Sequence, residues 1–309
     1  MDTIYDLVII GGGPAGAAAG VYAARKRLKT LLIAETFRGQ SAVSEEIQNW
    51  IGTVAISGED LASSLKKHVE AYAGDVLVMR EERVAGIEPK LTTFTVTTEK
   101  SSYEAHAILV CTGSQRRKLE VSGADTFEHK GLTYCSSCDG PMFAEQDLVV
   151  VGGGNAAFET SAQLLAYAKS VTLIHRSPDF HRADSITVEK VLSHPNMRAI
   201  KNVDITEVQG DKFANAIVYR NKETNELTTL PVGGIFVEIG QIPNTKFLKG
   251  IADLNDHEHV IVDPRTQKTS RHGIWAAGDC TDVLYHQNNI AAGDAVLALE
   301  DIFQYLRSK

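Results

Sequence analysis

The chain has 309 residues, of which 43% are hydrophobic and 23% charged, and its formal net charge is −8. That is an ordinary globular balance with apolar material for two cores, and the net acidity gives no reason to expect a nucleic-acid surface. No apolar run reaches the ~18 residues that span a bilayer, no charged-then-apolar leader precedes the first strand, and four cysteines are too few for a structural disulfide framework, so a cytoplasmic setting without membrane association is expected.

In chain order, Leu7-Val8-Ile9-Ile10 is a continuous apolar run, the pattern of a parallel strand buried on both faces. Gly11-Gly12-Gly13-Pro14-Ala15-Gly16 turns from it into an Ala-rich helix over 15–24, with cations from Arg25 to Lys29 at its end. Residues 30–34 are a second apolar strand. Residues 57–72 read as an amphipathic helix with Ser57 as N-cap and Asp60 three positions on. The alternating stretches 76–84 and 94–110 predict an antiparallel insertion and a returning strand. A second strand–turn–helix–strand unit starts at Asp147: strand 148–151, turn Gly152-Gly153-Gly154-Asn155-Ala156-Ala157, helix 158–168, strand 171–174. Residues 200–237 are β-rich, with turns at Gln209-Gly210 and 221–225. A helix over 289–306 closes the chain. The short runs Arg25-Lys26-Arg27 and Arg116-Arg117-Lys118 read as solvated charge.

Gly11-x-Gly13-x-x-Gly16 follows a strand and opens a helix. The glycines allow the tight turn, the approach of a pyrophosphate to the backbone, and close helix–strand packing. The helix N-terminus offers unpaired N–H groups to the phosphates. Glu35 closes the second strand, where a carboxylate can accept from ribose hydroxyls. Gly152-x-Gly154-x-x-Ala157 repeats this logic. No acidic residue ends its returning strand; Arg176 and Arg182 offer guanidinium forks to a 2′-phosphate, which favours NADPH over NADH. Two such turns, with junctions at 113–118 and 240–245, predict an α/β fold of two Rossmann-like dinucleotide-binding domains. One domain is discontinuous, 1–114 with 244–309, and 115–243 is inserted in it.

Cys135-Ser136-Ser137-Cys138 is a CxxC. The spacing suits reversible thiol–disulfide exchange. It also suits zinc, although no second CxxC or HxxxH supplies further ligands, and it suits a plain structural pair. Asp139 is placed either to pass a proton to a leaving thiolate or to cap a turn. Cys111, in an apolar strand, and Cys280 read as packing residues. Trp50 and Trp275 also read as packing. The ten histidines show no metal-ligand spacing.

Taken together, these motifs resemble the low-molecular-weight thioredoxin reductases and the flavoprotein portion of alkyl hydroperoxide reductase. The resemblance runs through Gly39-Gln40, Asn49-Trp50, Cys111-Thr112-Gly113, Tyr134-Cys135-Ser136-Ser137-Cys138-Asp139-Gly140-Pro141, Pro243-Asn244-Thr245, Ala276-Ala277-Gly278-Asp279-Cys280-Thr281 and Gln287 with Ala291-Ala292-Gly293. It implies FAD held by Gly11, Gly13, Pro14, Ala15, Gly16, Glu35, Gln40, Asn49, Thr112, Gly113, Gly278, Asp279, Gln287, Asn288, Asn289 and Ile290. It implies NADPH, or NADH, at Gly152, Gly154, Asn155, Ala156, Ala157, Arg176 and Arg182.

The implied catalytic set is Cys135, Cys138 and Asp139, with Cys138 on the flavin side, Asp139 as acid and Cys135 attacking the partner. Electrons would pass from the nucleotide through FAD and the cysteine pair to a separate thioredoxin-like or glutaredoxin-like protein. The enzyme would be a homodimer whose two junctions act as hinges. Ser177 stands where these reductases usually carry a second arginine after Arg176. The region around 178–182 is one residue longer than usual, and Arg38 replaces a glycine. The alternatives are the same chemistry with NADH or a ferredoxin-like donor and another disulfide partner, or a flavin-binding redox sensor. No metal is expected.

Overall fold

Apolar residues at every position from Leu7 to Ile10 make β1 (Ile4–Ile10) a strand with two buried faces. Successive side chains leave a strand in opposite directions. Leu7 and Ile9 therefore enter one core, and Val8 and Ile10 another. α1 (Pro14–Arg25) starts with Pro14, whose missing N–H is no loss in a first turn. β2 (Thr30–Ala34) is buried throughout. α2 (Gly58–Glu70) is capped by Ser57, whose Oγ accepts from the Asp60 N–H at 3.0 Å. β3 (Leu77–Glu81), β4 (Val84–Pro89), β5 (Phe94–Thr98) and β6 (Ser102–Val110) follow. This computed structural model describes residues 4–44 and 46–308. It divides into one unit of Met1–Gln115 with Ile242–Lys309 and a second of Arg116–Gln241.

The chain leaves the first unit through β7 (Ser114–Arg116). The second unit then runs α3 (Ala124–Phe127), β8 (Leu132–Thr133), α4 (Ser136–Asp139), β9 (Asp147–Gly152), α5 (Asn155–Leu164), β10 (Ser170–Ile174), α6 (Ser185–Leu192) and β11 (Met197–Ile200). It continues through β12 (Val203–Gly210), β13 (Ala214–Asn221), β14 (Leu227–Pro231) and β15 (Gly234–Glu238). The chain returns through β16 (Gln241–Pro243) and ends its first unit with β17 (Ile274–Ala276) and α7 (Asn288–Arg307).

In the first unit the strand order is β3-β2-β1-β6-β5-β4. β6 is long enough to take two neighbours on one side: β5 pairs with its first part and β17 with Ile108–Val110. β3 joins β2 in parallel at the sheet edge rather than entering the antiparallel insertion, which is confined to β4 and β5 against β6. Ala-rich faces of α1 and α7 pack over Leu7, Ile9 and Leu109. In the second unit a parallel sheet has the order β11-β10-β9-β15-β8, and β12, β13 and β14 form a separate antiparallel sheet. Each unit is thus built on a parallel-stranded α/β sheet with its glycine-rich turn at the C-terminal end of a strand, β1 or β9, and the N-terminus of the following helix, α1 or α5.

Candidate functional site

In the first unit, the turn after β1 is closed where packing demands it and open where a ligand would approach. A Cβ on Gly11, whose φ is +122°, would stand 2.1 Å from Cys111 O, and one on Gly16 would stand 1.8 Å from Gly11 O. A Cβ on Gly13 would meet nothing nearer than Gly39 Cα at 3.8 Å. Gly13 offers α1 no side-chain cap, and although the Ala17 N–H donates to Gly13 O at 2.9 Å, the Ala15 and Gly16 N–H groups keep their donors for an anion. Glu35 lies just past β2, exposed, with Arg83 Nε at 4.0 Å. Gln40 opens a one-turn 3₁₀ helix.

The same unit gathers the later markers. Asn49 Nδ2 donates to Gln287 Oε1 at 3.2 Å, Ser41 Oγ to Asn288 Oδ1 at 2.8 Å, and Asn289 Nδ2 to Asn49 O at 2.7 Å. Gln287 precedes α7 without a side-chain cap, and Asn288, Asn289 and Ile290 are its first turn. Thr112 and Gly113 are locked to Asn244: Thr112 Oγ1 donates to its carbonyl at 2.8 Å, and Asn244 N–H donates to Gly113 O at 3.0 Å. Gly278, at φ +76°, would bring a Cβ to 3.0 Å from Ala291 and 3.5 Å from Ala15. The Gly278-Asp279 turn therefore sits beside both helix starts. One residue escaped the sequence reading. Asp294 Oδ2 is buried with no hydrogen-bond partner among the described residues, and burial raises that carboxyl against the pull of the Gly278 N–H. An uncapped helix start, an open Gly13 and an orphaned buried carboxylate oxygen suit a bound dinucleotide. In the sequence, Asp294 gives no signal because it lies nearly two turns inside α7, past the helix start to which the flavin is assigned.

The second unit repeats the cradle. A Cβ on Gly152 would stand 2.4 Å from Glu238 O, whereas Gly154 has only Arg182 O, at 3.8 Å, near its missing side chain. Gly154 gives α5 no side-chain cap, and Asn155 and Ala156 at its start are exposed while Ala157 is fully buried. Asn155 Oδ1 accepts from the Asp184 N–H at 2.8 Å. Arg182 reaches the turn by a backbone bridge to Gly154. The Arg176 carbonyl accepts from Lys222 Nζ at 2.8 Å, and the Arg176 side chain is exposed. Between these arginines lies a carboxylate that the strand-end rule passed over, because it falls beyond β10 itself. Asp179 lies 3.8 Å from Lys201 Nζ and 3.8 Å from His181 Nε2.

Cys135 and Cys138 are joined as a disulfide across the single turn of α4, with Cα atoms 5.3 Å apart. Thr133 Oγ1 accepts from the Cys135 N–H at 3.3 Å and donates to Asp139 Oδ2, which ties the acid to the start of the motif. Gln163 on α5 holds the two serines: its Oε1 accepts from Ser136 Oγ and from Ser137 Oγ, each at 3.2 Å, and its Nε2 donates to Ser136 O at 3.3 Å. Ser136 Oγ is also 3.0 Å from Thr160 Oγ1, which donates to Glu238 Oε1 at 3.1 Å. Arg116 is not solvated charge: its Nη1 is 3.4 Å from Glu238 Oε2, and only 26% of its side chain is exposed. Glu238 keeps 9% side-chain exposure. Burial pushes its carboxyl up to about 7 despite the opposing pull of Arg116 and Thr160. Cys111 and Cys280 are free and buried, and burial raises both thiols, Cys280 to about 11. They are packing residues with little thiolate to react.

The sequence profile described as pyridine nucleotide-disulphide oxidoreductase matches residues 5–295. The chain belongs to this family. Among these oxidoreductases it is 35% identical to a thioredoxin reductase of Mycolicibacterium smegmatis over 98% of this chain and 97% of that one. It is 37% identical to an NADH dehydrogenase of Bacillus subtilis (strain 168), over 98% of this chain but only 58% of the relative's length. The crystal structure of thioredoxin reductase from Streptococcus pyogenes MGAS5005 superposes with a TM-score of 0.91 at 32% identity, covering all of both chains. These matches place the chain with the low-molecular-weight thioredoxin reductases, and the family implies FAD and a pyridine nucleotide as cofactors. The chain spans less than three-fifths of the length of the first curated relatives it matches. Among the described residues no helix is long and apolar enough to cross a membrane.

Proposed function

We propose that this chain is an FAD-dependent disulfide reductase that takes electrons from NADPH and delivers them, through Cys135 and Cys138, to the disulfide of a separate thioredoxin-like protein. The observation that carries the reading is a bonded CxxC pair in a unit that also holds an open phosphate cradle, in a chain with a second such cradle. Gly11, Gly13 and Gly16 with the start of α1 would hold the FAD pyrophosphate, Glu35 its ribose, and Asp279 with the start of α7 the remainder. When bound, the flavin supplies the two-electron link between a hydride donor and a disulfide. Gly154, Asn155 and Ala156 would take the nucleotide phosphates, and Arg176 and Arg182 the 2′-phosphate.

In the protein's own chemistry, Cys138 accepts electrons and Asp139, held by Thr133, carries the proton for the leaving sulfur. Cys135, half-buried at the start of the motif's turn, attacks the partner's disulfide. The reading keeps the cytoplasmic setting and the homodimer that the sequence resemblance implies. A second reading, with NADH as donor, draws on Asp179. A carboxylate between the two arginines accepts from a free 2′-hydroxyl and repels a 2′-phosphate.

The test is anaerobic reduction of the purified holoprotein by NADPH and by NADH, followed by turnover with a panel of thioredoxin-like proteins. Rapid flavin bleaching by a nucleotide and partner reduction are expected. In Cys138→Ser, bleaching persists and partner reduction falls at least a hundredfold. Surviving turnover in that variant would show the electron route to be wrong, and bleaching by reduced ferredoxin alone would show the donor to be wrong.

A further inference from the structure

Five residues from four elements form one hydrogen-bonded line in the second unit. Arg116 meets Glu238 Oε2, Glu238 Oε1 meets Thr160, Thr160 meets Ser136, and Ser136 meets Gln163. Ser136 is the residue immediately after Cys135, inside the disulfide ring. Glu238 ends β15 beside Gly152, away from the cysteines in sequence and with no part in the chemistry assigned above.

The line has a direction that the hydroxyls alone do not choose. Each hydroxyl owns one proton. With Glu238 ionised, Thr160 donates to the carboxylate and accepts from Ser136, so Ser136 has no proton left for Gln163. With Glu238 protonated on Oε1, the oxygen that Arg116 leaves free, the carboxyl donates to Thr160. Thr160 then donates to Ser136, and Ser136 donates to Gln163. The Ser136 hydroxyl's bond to Gln163 thus depends on one buried proton, while Gln163 keeps its bonds to Ser137 Oγ and Ser136 O in either state. Polar chains of this kind act as a unit in a low-dielectric interior.

We propose that Glu238 is a positioning residue that sets the thiol–disulfide poise of Cys135 and Cys138, acting through Thr160 and Ser136. The inference rests on the reading that this pair cycles between disulfide and dithiol. The balanced step is: disulfide, Glu238 carboxylate, two electrons and two protons give one thiol, one thiolate and a protonated Glu238 carboxyl. The electrons come from the pyridine nucleotide in turnover and from dithiothreitol in the test. The new thiolate adds negative charge to the element at the end of the line, which favours the proton on Glu238. The carboxyl is already poised near neutrality by burial, with Arg116 from β7 pulling it down and Glu159 from α5 pushing it up. β8 brings no titratable residue, and Asp147 of β9 sits at the far end of that strand, paired with Lys169 at 2.8 Å.

The test equilibrates the holoprotein with dithiothreitol redox buffers between pH 6 and 8.5. The reduced fraction is read by alkylation and mass of the peptide holding Cys135 and Cys138. In wild type, the equilibrium constant departs near pH 7 from the line set by the thiols. Relative to Glu238→Gln it drifts by about three- to tenfold across the range, as expected for a linked group whose pKa moves by up to one unit. Thr160→Val removes the drift and Thr160→Ser keeps it, which a merely structural role would not produce. This second pair decides the matter even if Glu238→Gln fails to fold. Parallel curves for wild type, Glu238→Gln and Thr160→Val overturn the inference while leaving the reductase reading intact. A pair that dithiothreitol cannot open at any pH overturns both.

Discussion

The two glycine-rich turns share a fingerprint and differ in how near their helices come. At the first, a Cβ on Gly16 would fall 1.8 Å from the Gly11 carbonyl, so only glycine fits. At the second, the equivalent position is Ala157, fully buried, and its methyl is accommodated. The phosphate-facing position is the same in both: Gly13 and Gly154 each have no atom within 3.7 Å of an added Cβ. The lesson is that the motif has two separable parts. One opens the backbone to a ligand, and the other sets the helix-to-strand distance. Only the first part is held constant between the turns.

The largest effect is expected where that distance is tightest. Gly16→Ala forces α1 away from β1 and moves the N–H groups that would face the FAD phosphates. The purified variant is expected to lose at least about 90% of its bound flavin, the tenfold loss that corresponds to ~1.4 kcal/mol of binding. The measurement is the ratio of flavin to protein absorbance, with a far-UV spectrum to show that the fold survives. A fully yellow variant would mean that the first turn has the slack of the second, and the comparison would fail.

A smaller effect is expected beyond the second turn, where the two units differ in charge rather than in spacing. The first unit places Glu35 at the end of β2; the second places Arg176, Asp179 and Arg182 after β10. Arg176→Ala is expected to raise the Michaelis constant for NADPH about tenfold, the scale of one charge-assisted phosphate contact, and to change that for NADH less than twofold. Steady-state kinetics with both nucleotides reads this directly. Equal effects on both would remove the 2′-phosphate assignment and leave Asp179 as the residue that selects the donor.

How far the sequence reached follows from the range of the signals. β2 is legible to the residue, because β-branched Thr30 and the apolar run Leu31–Ala34 stand between Lys29 and Glu35. The Ser57 cap was legible because its partner is three residues away. α5 begins at Asn155 rather than 158 because the helix starts inside the phosphate turn itself, with no capping side chain to announce it. α6 went unread although Asp184 accepts from Thr187 N–H at 2.9 Å, since the preceding stretch has no apolar rhythm. β3 was read as part of an antiparallel insertion because pattern gives a strand's faces but not its neighbour. The line from Glu238 to Ser136 was out of reach altogether. Its residues are brought together by the strand order β9-β15-β8 and by α5 lying across it. Local pattern carries no record of such a meeting.

The smallest effect tests the same comparison from the permissive side. Ala157→Gly removes a buried methyl and puts glycine in the first turn of α5. Together these changes are expected to destabilise the protein by about 1–2 kcal/mol, from ~0.8 for the methyl group and up to ~1 for the helix propensity. The open face of the turn is untouched, because Gly154 and the first N–H groups of α5 keep their positions. The Michaelis constants for both nucleotides should therefore stay within twofold while the unfolding midpoint in urea falls. If nucleotide affinity instead fell as steeply as flavin content does in Gly16→Ala, the third position would be setting the cradle as well as the spacing. The two parts of the motif would then not be separable in either turn.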